Sequence, residues 1–503
     1  MIRRLLIANR GEIARRILRA CRELGIETVA VYSDADAAAP HVSEADRAIR
    51  IGPPPARESY LNIDAILGAA TASQCDAVHP GYGFLSERAA FARAVETAGL
   101  TFVGPPASAL EAMGSKVGAR KLMTNAGVPV VPGETPADQS DGSMTAAAQK
   151  VGFPLLIKPA AGGGGIGMKA VHDESGLAGA LAAARREAKA SFGNDTLYIE
   201  RLIEKPRHVE IQVFADNYGN TVHVFERECS AQRRHQKVIE ESPCAALSAS
   251  VRGRMGAAAV AAAQAVGYRN AGTCEFLLEG DGDSARFYFL EMNTRLQVEH
   301  PVTEAVVGID LVHAQLRVAS GEKLPFSQDS LTQRGHAIEC RIYAEDPAQG
   351  FLPQAGPLLL YREPQGPGIR VDSGVKKGSE VSVHYDPMLA KLIVHASTRE
   401  EARRRAITAL RDFAILGIRT NIPFLLEILD HQKFVDASID TEFLDREGAA
   451  IASSIPQEMP NAAALVIEAI RKNPALRQND ALGTGGTPGT PADPFESLGS
   501  WRG

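Results

Sequence analysis

Within the first 32 residues the spacing of apolar side chains changes twice, and this constrains the fold more than any other feature of the chain. Arg4 to Ala8 is a short apolar run. Ile13, Ala14, Ile17, Leu18, Cys21 and Leu24 then recur at intervals of three and four, and Thr28 to Tyr32 is a second run. Short runs fit strands and the three-four spacing fits one face of a helix, so the segment reads as a βαβ unit. More alternation follows: a helix near Leu61 to Ala72, a strand at Ala77 to His79, a helix over Ser86 to Ala98 and a strand at Thr101 to Val103. Parallel strands need crossover connections and helices supply them, so residues 1 to about 112 predict a parallel sheet flanked by helices. The first turn, Asn9-Arg10-Gly11-Glu12, holds one glycine instead of G-x-G-x-x-G, which argues against a dinucleotide cradle.

At 503 residues the chain is too long for a single small module. Gly127 to Gly133, with Pro129 and Pro132, reads as a hinge. A smaller unit follows, with strands at Phe153 to Lys158, Met168 to Val171 and Thr196 to Glu200 and a helix at Glu174 to Ala190. From about 204 the pattern is mixed: strands at His208 to Phe214, Val222 to Arg227, Gly272 to Leu278 and Arg286 to Met292, then helices such as Arg399 to Phe413. Beyond about 447, Asn461 to Lys472 fits one helix, while Leu482 to Pro494 is rich in Gly, Thr and Pro, as expected of a flexible tail that ends near the lone Trp501.

Charge and cysteine usage exclude several classes. The net charge is −6 with Lys and Arg scattered, so neither a nucleic-acid footprint nor a polybasic membrane patch is present. The six cysteines are far apart without a CxxC pair, which fits neither a disulfide framework nor a zinc site of local spacing. The opening MIRRLLIANR reads as folded structure and not as a leader, so a reducing cytoplasm is the expected compartment.

Three segments carry chemistry. The run Gly162-Gly163-Gly164-Gly165-Ile166-Gly167 matches G-x-G-x-x-G, but it lies between two strands. A hairpin lid over phosphates and a flexible surface hairpin both fit, because glycine lets backbone N–H groups approach an anion closely. Lys158 and Lys116 are cations suited to phosphate oxygens. In Glu291-Met292-Asn293-Thr294-Arg295-Leu296-Gln297-Val298-Glu299, polar residues fill every odd position, and extended backbone puts all five on one face. A solvent-facing strand also alternates, yet this set is one of ligands and hydrogen-bonders. With Glu275 on the expected neighbouring strand, two carboxylates plus phosphate oxygens suit Mg²⁺, and hard oxygen ligands argue against zinc or copper. Glu226 to Lys237 is a third polar cluster, rich in anion-binding groups and open to the reading of a solvated loop.

Together these segments resemble biotin carboxylase, the ATP-grasp component of biotin-dependent carboxylases, from residue 2 to about 446. The resemblance rests on Ile7 to Ala14, on His79-Pro80-Gly81-Tyr82-Gly83-Phe84-Leu85-Ser86-Glu87, on Gln232 to Lys237, and on Glu291 through Glu304. It implies an N-terminal α/β domain over 1–112, a linker over 113–133, an ATP-grasp lid over 134–203, an ATP-grasp core with a C-terminal biotin carboxylase domain over 204–446, and a partly flexible tail over 447–503. The implied reaction is carboxylation of the biotin ureido nitrogen by bicarbonate, with MgATP cleaved through carboxyphosphate; Mn²⁺ is the alternative metal.

Carried over by residue, the nucleotide contacts are Lys116, Lys158, Gly163, Gly164, Gly165, Gly167, Met168, His208, Gln232, His235 and Leu277, with Glu200, Arg201 and Ile203 on the adenine side. Glu275, Glu291 and Asn293 resemble the metal site. Lys237, Arg295, Gln297 and Val298 resemble the bicarbonate pocket, Glu299 the general base, Arg341 the group that stabilises the biotin enolate, and Tyr82 a neighbour of the biotin ring. Ile166 stands where several members of the family have a basic residue and Arg201 where a Lys is often found, so the adenine contact of Arg201 is expected mostly from backbone; Phe351 to Gly356 also varies from the family pattern. No Ala-Met-Lys-Met motif occurs, so biotin is expected on a partner, a biotin carboxyl carrier protein, with a carboxyltransferase as second partner. Arg19 and Glu23 lie on the first helix where bacterial members make subunit contacts, which implies a homodimer. Another ATP-grasp ligase, such as a carbamoyl-phosphate or purine-pathway synthetase, shares the nucleotide and metal residues but not the 295–299 and 341 set; a silent ATP-binding scaffold requires a lost group, and none is visible.

Overall fold

Five short strands open the chain: β1 (Arg4–Ile7), β2 (Glu27–Ser33), β3 (Arg47–Gly52), β4 (Ala77–His79) and β5 (Thr101–Phe102), all parallel, in the order β3-β2-β1-β4-β5. The structure is a computed structural model and describes residues 1–160, 167–234, 236–455 and 468. The expectations for Gly162 to Ile166, for His235, and for the helix and tail beyond 455 lie outside the described residues. The helix Gly11–Glu23 buries Ile13, Ala14, Ile17, Leu18 and Cys21 against this sheet, the face its spacing predicts.

The helix expected from Ser86 begins later, at Ala89, because residues 80–88 are spent on a turn. Gly81, Gly83 and Phe84 all have positive φ there. A Cβ on Gly81 would sit 2.8 Å from the Asn9 amide, which itself donates to the carbonyls of Pro80 and Tyr82. His79 completes the turn: its Nδ1 accepts from the Gly81 N–H at 3.0 Å. The segment 113–133, expected as a linker, carries the helix Lys116–Asn125, capped by the Ser115 hydroxyl.

His79 is fully buried and burial holds its pKa down at about 4, below the ordinary value of 6.5. The folded state therefore keeps it neutral while the unfolded chain takes up a proton, so stability is present above pH 6.5 and is lost as pH falls toward 4. His41, held near 4 by burial as well, acts in the same window. The urea midpoint is expected to drop between pH 7 and pH 5, and His79→Gln is expected to flatten that slope; an unchanged slope in the variant would refute the assignment.

The second unit is a four-stranded antiparallel sheet of β6 (Gly133–Glu134), β7 (Leu155–Pro159), β8 (Lys169–Val171) and β9 (Leu197–Arg201), ordered β6-β9-β7-β8. The helices Asp141–Val151 and Leu177–Phe192 cover it, and Met144, Leu155, Ile157, Leu181 and Ile199 form a core of its own.

The third unit is an eight-stranded sheet that carries the site. It contains β10 (Arg207–Ala215), β11 (Thr221–Arg233), β12 (Gln236–Ser242), β13 (Asn270–Glu279), β14 (Arg286–Asn293) and β15 (His336–Tyr343). The strands Met388–Ala396 and Ile369–Ser373 extend it, in the order β14-β13-β10-β11-β12-β15 and then these two, every pairing antiparallel. One sheet thus joins the central region to the C-terminal one. This division into parallel and antiparallel sheets agrees with the expected multi-domain α/β class.

One open reading closes and one expectation changes. The cluster Glu226 to Lys237 is not a solvated loop: residues 226–233 fall on β11 and 236–237 open β12, and Glu226, Arg227 and Glu228 are buried. Nor does extended backbone run from 291 to 299. The strand stops at Asn293, and Glu299 caps the helix His300–Val307, which Pro301 starts in its first turn. Leu296 is buried in the core beside the first helix, which turns the chain away from the strand line. The side chains at 293–299 converge through a loop instead of a shared strand face.

All six cysteines are buried and unpaired. Among the described residues no helix is long and apolar enough to cross a membrane. The helix Phe443–Ser454 continues the fold past residue 447.

Candidate active site

A cleft of about 660 Å³ runs along one face of the eight-stranded sheet, between it, the four-stranded sheet and the C-terminal strands. One end is apolar with cations behind it, and the other is densely charged.

The apolar end is built from Val131, Leu156, Met168, Leu202, Ile203 and Leu277. Val131 and Ile203 pack together with Tyr288, and Leu277 leans on them. Lys158 on β7 and Lys116 at the start of its helix supply the cations. Lys158 Nζ donates to Glu200 Oε2 at 2.6 Å, and Arg120, one helical turn beyond Lys116, reaches the other oxygen of the same carboxylate and the Val131 carbonyl. Arg201 turns its side chain away, onto Glu279 at 2.9 Å and the Tyr288 hydroxyl at 2.8 Å. Its backbone N–H is engaged by the Pro132 carbonyl, so a contact to a base from this residue falls to its own carbonyl. Gly167 has φ +77°, and a Cβ there would meet Pro159 at 3.0 Å, so the position requires glycine.

At the middle of the cleft Glu275 on β13 and Glu291 on β14 are direct cross-strand partners, which places both carboxylates on one face. Asn293 Nδ2 donates to Glu275 Oε1 at 2.7 Å. His208 Nε2 lies 3.2 Å from Glu275 Oε2, and its Nδ1 faces Gln232 Oε1 at 3.4 Å. Among the described residues Glu291 forms no hydrogen bond or ion pair; its side chain is exposed along the cleft, and desolvation by the cleft walls with the neighbouring Glu275 pushes its pKa up. Two carboxylates and an amide oxygen are a hard-oxygen donor set, and a divalent cation there would relieve both causes of that shift, so these residues fit Mg²⁺ or Mn²⁺.

The charged end centres on Lys237. Its Nζ contacts Glu210 Oε2 at 2.6 Å, Glu275 Oε1 at 3.0 Å and Glu299 Oε1 at 2.6 Å. Burial disfavours the ammonium, but the anionic groups around it outweigh that and hold its pKa well above the ordinary lysine value. Arg341 Nη2 contacts Glu299 Oε2 at 3.0 Å and donates to Glu240 from Nε. Glu299 is fully buried, yet Lys237, Arg341 and Arg227 override desolvation and hold its pKa well below the carboxylate range. Arg295 donates to Gln297 Oε1 at 2.8 Å and to Glu87 Oε2 at 3.0 Å.

The structure therefore brings Lys116, Lys158, Met168, Glu200, Arg201, Ile203, His208, Gln232, Lys237, Glu275, Leu277, Glu291, Asn293, Arg295, Gln297, Val298 and Arg341 to one cleft, with Glu299 buried against it. Tyr82 is not among the lining residues. Its hydroxyl donates to Glu12, at the start of the first helix. Gly163, Gly164, Gly165 and His235 lie outside the described residues.

Sequence reasoning gave no role to Glu87, Arg120, Glu210 or Arg227. Glu210 is fully buried between Lys237 and Arg227, and Arg227 also donates to Gln212, Thr303 and Thr273. A signal existed: His208, Glu210 and Gln212 alternate with Val209, Ile211 and Val213, the pattern of a strand with one apolar and one chemical face.

Family models match three successive stretches: the biotin carboxylase N-terminal domain over 1–110, the carbamoyl-phosphate synthase L chain ATP-binding domain over 115–327, and the biotin carboxylase C-terminal domain over 339–446. Biotin carboxylase 1 of Bacillus subtilis is 52% identical over 88% of this chain and 98% of its own length. The α subunit of a mitochondrial methylcrotonoyl-CoA carboxylase of Glycine max is 53% identical over 88% of this chain, which spans 60% of that subunit. A crystal structure of a biotin carboxylase–ATP-analogue complex from Campylobacter jejuni superposes with a TM-score of 0.85 at 44% identity, covering 89% of this chain and 99% of that one. The biotin carboxylase domain dimer of Hydrogenobacter thermophilus 2-oxoglutarate carboxylase, with MgADP, ADP and bicarbonate, gives a TM-score of 0.84 at 42% identity, covering 91% of this chain and all of that one.

Proposed function

The chain belongs to the biotin carboxylase family, and on that premise we propose that it carries out the first half-reaction of a biotin-dependent acyl-CoA carboxylase: MgATP-dependent carboxylation of the ureido N1 of biotin by bicarbonate. The observation that carries the reading is the placement of Glu299. Its carboxylate lies between Lys237 and Arg341, at the end of a cleft whose other end is apolar and backed by Lys116 and Lys158.

Chemistry follows from that order. The apolar walls take the adenine, and the two lysines take phosphate oxygens, Lys158 exchanging its bond to Glu200 for the nucleotide. A divalent cation held by Glu275, Glu291 and Asn293 would neutralise charge on the transferred phosphoryl group. Lys237, Arg295 and Gln297, with Val298, hold bicarbonate beside Glu299, which takes its proton as the oxygen attacks the γ-phosphorus of ATP, the bond to the bridging oxygen breaks, ADP leaves and carboxyphosphate forms. An ionised Glu299 is a weak base while two cations face it. As bicarbonate draws Lys237 onto its own oxygens, the proton affinity of Glu299 rises when it is needed. Arg341 then stands ready for the enolate form of biotin. The sheet of residues 134–203, with its own core and the 127–133 hinge, serves as the lid that keeps water from carboxyphosphate.

Biotin reaches the site on a carrier protein, and a carboxyltransferase partner sets the acyl acceptor. A homodimer through the first helix completes the reading: Arg19 and Glu23 are about half exposed there. The unpaired buried thiols suit a reducing cytoplasm.

The test is ATP hydrolysis by the purified chain with Mg²⁺ and labelled bicarbonate, with and without free biotin and a biotinylated carrier domain. Trapped carboxybiotin is expected. Hydrolysis indifferent to both acceptors, with no trapped product, would overturn the proposal. Glu291→Gln is expected to weaken Mn²⁺ binding, read by electron paramagnetic resonance, by about tenfold or more while metal-free nucleotide binding stays within twofold.

A further inference from the structure

We propose that Lys391 is a positioning residue of the bicarbonate pocket, fixing the Val298–Glu299 peptide from beneath through the Val298 carbonyl. The inference rests on the reading of the 295–299 loop as that pocket.

Lys391 sits in the middle of an apolar strand, between Ala390 and Leu392, and its side chain is fully buried. A buried ammonium is expensive and is kept only where its hydrogen bonds are met. Here Nζ donates to the Val298 carbonyl at 2.6 Å and lies 3.4 Å from Glu12 Oε1. On the sheet Lys391 is the direct cross-strand partner of Arg341 on one side and of Asp372 on the other. Two buried cations therefore stand side by side on one sheet face and grip consecutive residues. Arg341 holds the Glu299 carboxylate at 3.0 Å, and Lys391 holds the carbonyl of the peptide that precedes it. A carboxylate on a flexible side chain is aimed only if its backbone is also fixed, and the second grip supplies that. Glu12 carries the contact one step further, because it accepts from the Tyr82 hydroxyl. Tyr82, which does not line the cleft itself, is thus joined to the loop through Glu12 and Lys391.

The expected result is a split between kinetic constants. Lys391→Met removes charge and donor at nearly constant volume, and should raise the KM for bicarbonate at least tenfold in ATP cleavage while the KM for ATP stays within twofold. Lys391→Arg should recover part of that loss, which a role in packing alone would not produce. A folded Met variant with an unchanged bicarbonate KM overturns the assignment, as does a loss spread equally over both substrates. If the Met variant does not fold, Lys391→Arg and Glu12→Gln are measured instead, and an unchanged bicarbonate KM in both overturns it. Failure of the wild-type chain to cleave ATP in response to bicarbonate would refute the proposed function itself, so the two failures are distinguishable.

Discussion

Glu299→Gln is expected to abolish biotin carboxylation, with turnover down at least about 10²-fold, while nucleotide binding stays within twofold of wild type. The substitution keeps size and hydrogen-bonding oxygen but removes the only atom pair on this residue that can take a proton. Nothing on the nucleotide side depends on it: the contacts of Glu299 are Lys237 and Arg341, whereas Lys116, Lys158 and the apolar wall lie at the other end of the cleft. Both cations also keep other carboxylates, Glu210 and Glu275 for Lys237 and Glu240 for Arg341, so the variant should fold. The measurement pairs carboxybiotin trapping with equilibrium binding of an ATP analogue. Near-normal trapping would remove Glu299 from the role of base, and lost nucleotide binding would show that the change acts through the fold.

Legibility in the sequence followed the chemistry of burial. The N-terminal sheet, its largely exposed edge strand β3 apart, was readable because its buried residues are apolar, so Ile13, Ile17 and Cys21 on the helix and the runs of β1 and β2 show a clear period. The central sheet was readable only in part: β10, β13, β14 and the start of β11 were expected, but the rest of β11 and β12 were not, because they bury Glu228, Glu240 and Glu241, and charge in sequence reads as surface. These strands are affordable only as a network in which each carboxylate meets a cation, a property of the assembled sheet that no local window contains. The loop from 293 to 299 shows the reverse case. Its alternation singled out residues that do converge, but a turn and a helix start, not a strand face, bring them together. Lys391 left one faint mark, a single charge inside Leu389-Ala390-Lys391-Leu392-Ile393-Val394, where an exposed strand would show several.

Lys237→Met should lose both stability and activity, and the two losses have one cause. Three carboxylates converge on this ammonium, Glu210 and Glu299 fully buried and Glu275 nearly so. Methionine fills the space but leaves the carboxylates facing one another without their shared cation. Breaking a buried pair by removing one partner costs about 3–5 kcal/mol, far more than the pair itself contributes over an apolar replacement. Arg227 still holds Glu210 and His208 still faces Glu275, so Glu299, left with Arg341 as its one direct cation contact and Arg227 at longer range, bears much of the change. Its pKa should rise, and with the bicarbonate cation gone the substrate anion enters a site of net negative charge. A fall in the urea midpoint together with at least about a 10²-fold loss of bicarbonate-dependent ATP cleavage is therefore expected, with partial recovery of both in Lys237→Arg. A variant that keeps the wild-type midpoint and bicarbonate KM would show that the three carboxylates do not depend on this lysine, and the electrostatic order assigned to the cleft would fail with it.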